Sequence, residues 1–427
     1  MHKTIYDDIQ ETVYSKVLTN GLHVALLPRT EMSKTHCLFT TNYGSIDQHF
    51  IPLNEQDFIE VPHGVAHFLE HKMFEKEDGD VFADFGKQGA SANAYTSFTK
   101  TAYLFSATNH IKKNVETLLD FVQEPYFTDE TVEKEKGIIA QEIKMYDDDP
   151  EWQSFTGSIK SMYSKHPVNI DIAGTVKSIY DITKEDLYTC YETFYHPENM
   201  LFFMTGNFDP EEMMQLIEKN QNAKSFPKAE KIKRAYPDET PSVNEQKRIV
   251  HMPVSVPKSV IGIKYIPETK DPDQFVKQDV LQSILLDYIC SKNGPFYEEL
   301  YEGDYIDNSF SYSATLEKNF GFSMISTNSH EPEKFADKMK SCLLQASKMT
   351  IDDTTFAIMK KKLIGEMLRN MNSLEYIANQ YTHYHFLGVD FLTVHRIIED
   401  LTIEEAHTFL QEWIKEDHLA SSIVCPK

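Results

Sequence analysis

Two stretches of this chain read alike at an offset of 219 residues, and that echo limits the possible folds more than any other feature. Asp181-Ile182-Thr183-Lys184-Glu185-Asp186 answers to Asp400-Leu401-Thr402-Ile403-Glu404-Glu405. Each opens a helix with a Thr-x-x-acid cap, in which the threonine hydroxyl and the acid satisfy free backbone N–H groups. At the same offset Phe194 pairs with Trp413 and Met200 with Leu419, and a strand-like run follows each. Caps recur in every protein, but a shared helix and strand that each close a half-chain imply two domains of one fold. The length of 427 residues agrees, being too great for one ordinary core. Residues 1–220 form the first expected domain and 249–427 the second. Residues 221–248, Lys-rich and carrying Pro227, Pro237 and Pro241, read as a linker on which the halves could hinge.

Apolar periodicity places strands in the first half at residues 13–28 (two, about Asn20-Gly21), 37–42, 92–96, 101–107 and 200–205. Helices are expected at 63–75, 80–88, 111–123, 129–145, 151–163 and 184–195. In the second half, 249–266 and 310–327 are strand-like. Residues 274–291, 334–350, 353–371 and 374–386 are helical.

The chemistry lies in His67-Phe68-Leu69-Glu70-His71. On a helix, His67, Glu70 and His71 share a face, while Val65, Leu69 and Met73 face the core. Two imidazoles one turn apart can hold one divalent ion, and a carboxylate between them can take a proton from water bound to it. A lone histidine is ordinarily a surface or satisfied core residue; a pair flanking a glutamate is much rarer by chance. A hydrolytic zinc site needs a third protein ligand. The 129–145 helix offers Glu133, Glu135 and Glu142. Glu133 reads as a solvated acid. Glu135 and Glu142 are seven residues apart on one partly apolar face, and spacing alone does not choose between them. No His or Glu stands at 286–290, opposite the motif in the repeat, so one site per chain is expected.

Net charge is −24, which disfavours nucleic acid and anionic membranes as partners. Five scattered cysteines, with no C-x-x-C pair, suit a reducing compartment and not thiolate metal ligation. The acidic first residues resemble neither a signal nor a transit peptide, and no run of about 18 apolar residues occurs. The cytoplasm is the expected location.

His67-x-x-Glu70-His71 is the inverted zincin arrangement, and Gly64 to His71 resembles the pitrilysin/insulinase family of zinc metallopeptidases. The likeness extends through Asn20-Gly21-Leu22, Gly44-Ser45, Ser91 to Ser97, Glu135 to Glu142, Gly174-Thr175 and Gly206-Asn207. It implies a zinc endopeptidase acting on peptides or unfolded segments or, as the alternative, a non-catalytic or partner-dependent subunit of a peptidase-like heterodimer. By family position Glu142 is the third zinc ligand, beside His67 and His71. Glu135 is the supporting acid and Glu70 the catalytic base. Asn93 and Ala94 lie on an edge strand that binds substrate as an added strand. Each half should be an α+β sandwich of one antiparallel sheet with helices, the two forming half of a clamshell. A second two-domain chain, identical or related, should complete it. In one respect the chain departs from the family. Tyr301 stands where an Arg is expected, and Asn308 near the place of a Tyr, with Tyr305 or Tyr312 as candidate substitutes.

Overall fold

The computed structural model describes residues 1–77 and 79–427. The first half contains strands β1 (His2–Tyr6), β2 (Glu11–Val17), β3 (His23–Pro28) and β4 (Thr35–Thr41), then helix α1 (Val65–Met73). There follow β5 (Ala90–Thr96), β6 (Thr101–Ala107), α2 (Ile111–Gln123), α3 (Asp129–Asp147), α4 (Pro150–Met162), α5 (Lys184–Phe194) and β7 (Met200–Gly206). The second half repeats the series from β3 onward. It runs β8 (Lys247–Met252), β9 (Lys258–Lys264), α6 (Pro272–Cys290), β10 (Ser311–Glu317) and β11 (Phe320–Asn328). It closes with α7 (Pro332–Ala346), α8 (Asp353–Asn370), α9 (Leu374–Leu387), α10 (Ile403–Trp413) and β12 (Leu419–Pro426).

The sheets confirm the repeat strand by strand. The seven-stranded sheet has the order β1-β2-β3-β7-β4-β6-β5 and the five-stranded one β8-β12-β9-β11-β10. In each, the last strand of the half enters the middle, parallel to one neighbour and antiparallel to the other. The fold is α+β, with two homologous halves. Residues 249–266 and 310–327, each read as one apolar run, are each two strands. Pro253 and Pro257 break the first run, and β12 inserts between its strands. The second turns back at Lys318-Asn319 as a hairpin. A helix that the sequence reading omitted, Pro210–Asn222, is capped by Asp209, whose side chain accepts from Glu212 N–H.

The first sheet is covered on both faces, so β7 reads as a continuous apolar run, Met-Leu-Phe-Phe-Met. Phe202 and Met204 enter the core beneath α1, α2 and α5. Leu201 and Phe203 enter a core shared with the second half, where Phe203 stacks on Tyr381 of α9 at 4.4 Å. Each such side chain contributes about 1.5–3 kcal/mol by leaving water.

The halves exchange helices: α4 lies on β9 and β12 of the second sheet, and α9 on β4 and β7 of the first. Close approach of α4 needs small residues. A Cβ on Gly157 would come within 2.8 Å of Ser422 Oγ. Thr156, Ser158 and Ser161 donate their hydroxyls to carbonyls four residues back, so they can be buried without losing hydrogen bonds.

The 221–248 stretch is anchored along its length. Lys233–Arg234 pairs with His49–Ile51 in a small three-stranded sheet. Further on, the buried Glu239 carboxylate accepts from the backbone N–H groups of Ser164, Lys165 and His166, and from Lys264 Nζ at 3.0 Å. These bonds oppose the free hinge that its composition suggested.

Candidate metal centre

Helix α1 starts at Gly64, whose φ of 89° favours glycine. A Cβ there would come within 2.3 Å of Ala173 O, and one on Gly174 within 2.5 Å of His63 O. These two glycines let the start of α1 sit backbone to backbone on the 173–174 turn, where Ser178 Oγ donates to His63 O (2.8 Å). Val65, Leu69 and Met73 are buried as their spacing predicts. The opposite face of α1 carries His67, Glu70 and His71.

Helix α3 begins at Thr128, whose hydroxyl accepts from Thr131 N–H, with Asp129 and Glu130 against the positive end of the helix dipole. It crosses α1 so that Glu142 faces both imidazoles. Glu142 Oε1 lies 3.8 Å from His67 Nε2, and Oε2 lies 3.7 Å from His71 Nε2. Glu135, two turns earlier, meets the other side of the His71 ring, where Nδ1–H donates to its Oε1 (3.1 Å). That bond fixes the ring with Nε2 toward Glu142. The geometry thus separates the two acids that spacing could not.

The donor set suits a divalent ion. One atom each from His67, His71 and Glu142 lies within 4.8 Å of the others, the one such group among the described residues. Tetrahedral zinc with nitrogen and oxygen ligands spaces its donors by about 3.4 Å, and the two His–Glu separations are close to that. Two imidazole nitrogens and a carboxylate within this reach of one another are what a dication would hold together. Among the described residues His67 Nδ1 is buried without a partner. Burial, with the charge of His71, pulls the His67 pKa down to about 3. At His71 burial pulls the same way, but the Glu135 bond and the charges of Glu70, Glu142 and Glu135 outweigh it and raise the pKa.

Glu70 is buried, and burial raises its pKa against the hydrogen bond from Thr96 Oγ1 to Oε2 (2.7 Å). Thr96, the last residue of β5, is a contact that the sequence reading did not single out. Its position at the end of the strand after the motif helix was the available signal. Strand β5 is an edge of its sheet, and Asn93 is exposed on it, with Oδ1 accepting from Ala94 N–H (2.9 Å). A cleft of about 680 Å³ joins these parts, its walls including Glu70, His71, Asn93 and Ala94 with Phe74, Phe82 and Ile138. The Phe74 and Phe82 rings stack at 4.1 Å. Every described lining residue belongs to the first half. Tyr301, on the helix Tyr297–Glu302, is half exposed and stacked on Tyr297, and Tyr312 donates to Asp287; neither they nor Tyr305 line this cleft.

Residues 60–176 match the family described as Insulinase (Peptidase family M16), and residues 181–363 that described as Peptidase M16 inactive domain. The chain is 48% identical to an uncharacterized zinc protease of Bacillus subtilis, YmfH, over 99% of this chain and 98% of the relative. Among solved structures it resembles an M16-like peptidase from Alicyclobacillus acidocaldarius, with a TM-score of 0.92, 40% identity and coverage of 98% and 99%. A protease from Helicobacter pylori shares the fold at 18% identity, with a TM-score of 0.82 and coverage of 97% and 99%.

Proposed function

The chain belongs to the insulinase family, peptidase family M16, and from that premise we propose that it is a zinc-dependent endopeptidase cleaving peptides or unfolded polypeptide segments. The observation that carries this reading is the convergence of His67, His71 and Glu142 beside a buried Glu70. His67, His71 and Glu142 hold the zinc, and Glu135 positions His71. When bound, zinc supplies a Lewis acid that polarises the scissile carbonyl and makes water nucleophilic at neutral pH. Glu70 accepts the proton that the attacking water loses and delivers it to the leaving amine. Thr96 holds one Glu70 oxygen, leaving the other for that transfer. The substrate backbone pairs with the open edge at Asn93 and Ala94 as an added strand, and Phe74, Phe82 and Ile138 receive an apolar side chain.

A second two-domain chain, a copy of this one or a relative, closes over the cleft. Two features support that: the walls come from one half only, and Phe82, Ile138 and Met145 are exposed on the elements beside it. Cytoplasmic location is supported by five free cysteines, four of them buried. No helix among the described residues is long and apolar enough to cross a membrane.

The experiment is zinc content and cleavage of an unstructured peptide library, measured on the same sample. We expect about one zinc per chain, by the single site, and chelator-sensitive cleavage. His71→Ala should lose both metal and cleavage; full zinc occupancy in that variant would refute the ligand set. Glu135→Ala should weaken zinc binding by about 10–100-fold, because the His71 ring then loses the acceptor that orients it. A competitive chelator titration reads this, and unchanged affinity would remove Glu135 from the positioning role.

A further inference from the structure

A second cavity, of about 250 Å³, lies where the halves meet, remote in sequence from the metal helices. Two hairpin turns form it: residues 97–100, between β5 and β6, and 318–319, between β10 and β11. The anchored stretch adds Arg234 and Tyr236, and α9 adds His383, Phe386 and Leu387.

Nearly every charge on this wall is spoken for. Asp47 accepts from Arg234 Nε (2.9 Å), Tyr236 Oη (2.6 Å) and Gly44 N–H (3.0 Å). Glu317 accepts from Thr99 Oγ1 (3.1 Å), with His383 Nδ1 4.0 Å away. Lys318 Nζ donates to Phe386 O (2.7 Å). Lys100 is the least satisfied: among the described residues its ammonium makes no hydrogen bond and no contact ion pair, and only the more distant charge of Glu317 offsets the burial that lowers its pKa.

The balance of charge states what is missing. Arg234, Lys100 and Lys318 face two carboxylates, Asp47 and Glu317. His383 is neutral at pH 7, because burial and the charges of Lys100 and Lys318 bring its pKa to about 3. One positive charge is left over. The rest of the wall sets the apolar Ile46, Phe320, Phe386 and Leu387 beside the polar Asn42, Thr99, Tyr236 and Asn319.

We propose that this cavity binds a monocarboxylate with a compact apolar body, its carboxylate on Lys100 Nζ and its body against Ile46, Phe320 and Leu387. Free acids and the C-terminus of a short peptide share that chemistry. Because both halves supply walls, the occupant bridges them and stabilises the native chain in proportion to its binding.

The test uses the whole zinc-loaded chain and two matched pairs of probes: acetyl-leucine with acetyl-leucinamide, and a leucine-terminated pentapeptide with its C-terminal amide. Binding is read by saturation-transfer NMR and by the thermal midpoint. Acetyl-leucine should bind at millimolar concentration and raise the midpoint saturably, and its amide should bind at least about tenfold more weakly. The acid pentapeptide binding as well would identify chain ends as occupants; acetyl-leucine binding without it would identify small acids. Lys100→Met should abolish the preference for acid over amide. Equal binding of acid and amide by the wild type would overturn the proposal. So would an acid preference that survives Lys100→Met, since that binding would belong to the metal centre.

Discussion

Glu70→Gln is expected to lower peptide cleavage by about 10²–10⁴-fold, the usual contribution of general acid–base catalysis, while zinc content stays at the wild-type value. The substitution separates chemistry from structure. Gln is isosteric with Glu, and its carbonyl oxygen can still accept from the Thr96 hydroxyl, so the buried contact survives. Glu70 is not in the cluster formed by His67, His71 and Glu142, so the proposed ligand set is untouched by the substitution. What is lost is a group that can take a proton. A thousandfold loss corresponds to about 4 kcal/mol of transition-state stabilisation, far beyond what small repacking produces. The measurement is kcat/KM on one unstructured peptide, with metal analysis of the same preparation. Cleavage within about tenfold of the wild type would reject Glu70 as the base. Loss of zinc together with activity would show instead that Glu70 supports the ligands.

The half of the site on α1 was legible because it is a matter of helical period. His67, Glu70 and His71 share a face whatever surrounds them, and Val65, Leu69 and Met73 say which side is buried. The choice between Glu135 and Glu142 was not legible from spacing, because residues seven apart occupy the same face of α3. It depends on where α3 crosses α1, which is tertiary information. Resemblance to the family supplied an assignment; in the structure Glu142 faces both Nε2 atoms, and Glu135 lies on Nδ1 behind. The repeat was legible at its ends, where both copies carry a Thr cap. The exchange of α4 and α9 between the halves was hidden, because the sequence shows that a helix is amphipathic but not which sheet it covers. The run of small residues at 154–161 was the one available sign of close packing. The contacts of the 221–248 stretch were hidden for a related reason. Proline, lysine and scarce apolar residues describe a segment without a core of its own, yet Arg234, Tyr236 and Glu239 tie it down by polar contacts that hydropathy does not register.

Those contacts set the largest expected effect on stability: Glu239→Ala should destabilise the chain by about 3–5 kcal/mol, the usual consequence of breaking a buried ion pair from one side. The Lys264 side chain is fully buried, its ammonium lying 4.6 Å from the Tyr163 ring and 2.9 Å from Ser242 O. Removing Glu239 leaves that charge with no counterion and strands the N–H groups of Ser164, Lys165 and His166. Against a typical total of about 5–15 kcal/mol, the loss is a third or more. Burial opposes the Glu239 charge, but hydrogen bonds from the His166 and Lys165 N–H groups and from Lys264 outweigh it and hold the pKa at about 2, below the ordinary 4.5. A carboxylate with a depressed folded pKa contributes stability that is fully present above its unfolded value and is lost as pH falls through the folded one. The difference between wild type and Glu239→Ala should therefore be constant above about pH 5 and shrink as pH falls from 4.5 toward 2. Urea unfolding at several pH values reads both effects, with the exposed Glu230→Ala in the same stretch as a control expected to change stability by less than about 0.5 kcal/mol. A Glu239→Ala midpoint no lower than that control would mean that the stretch is a linker after all, free to let the halves move.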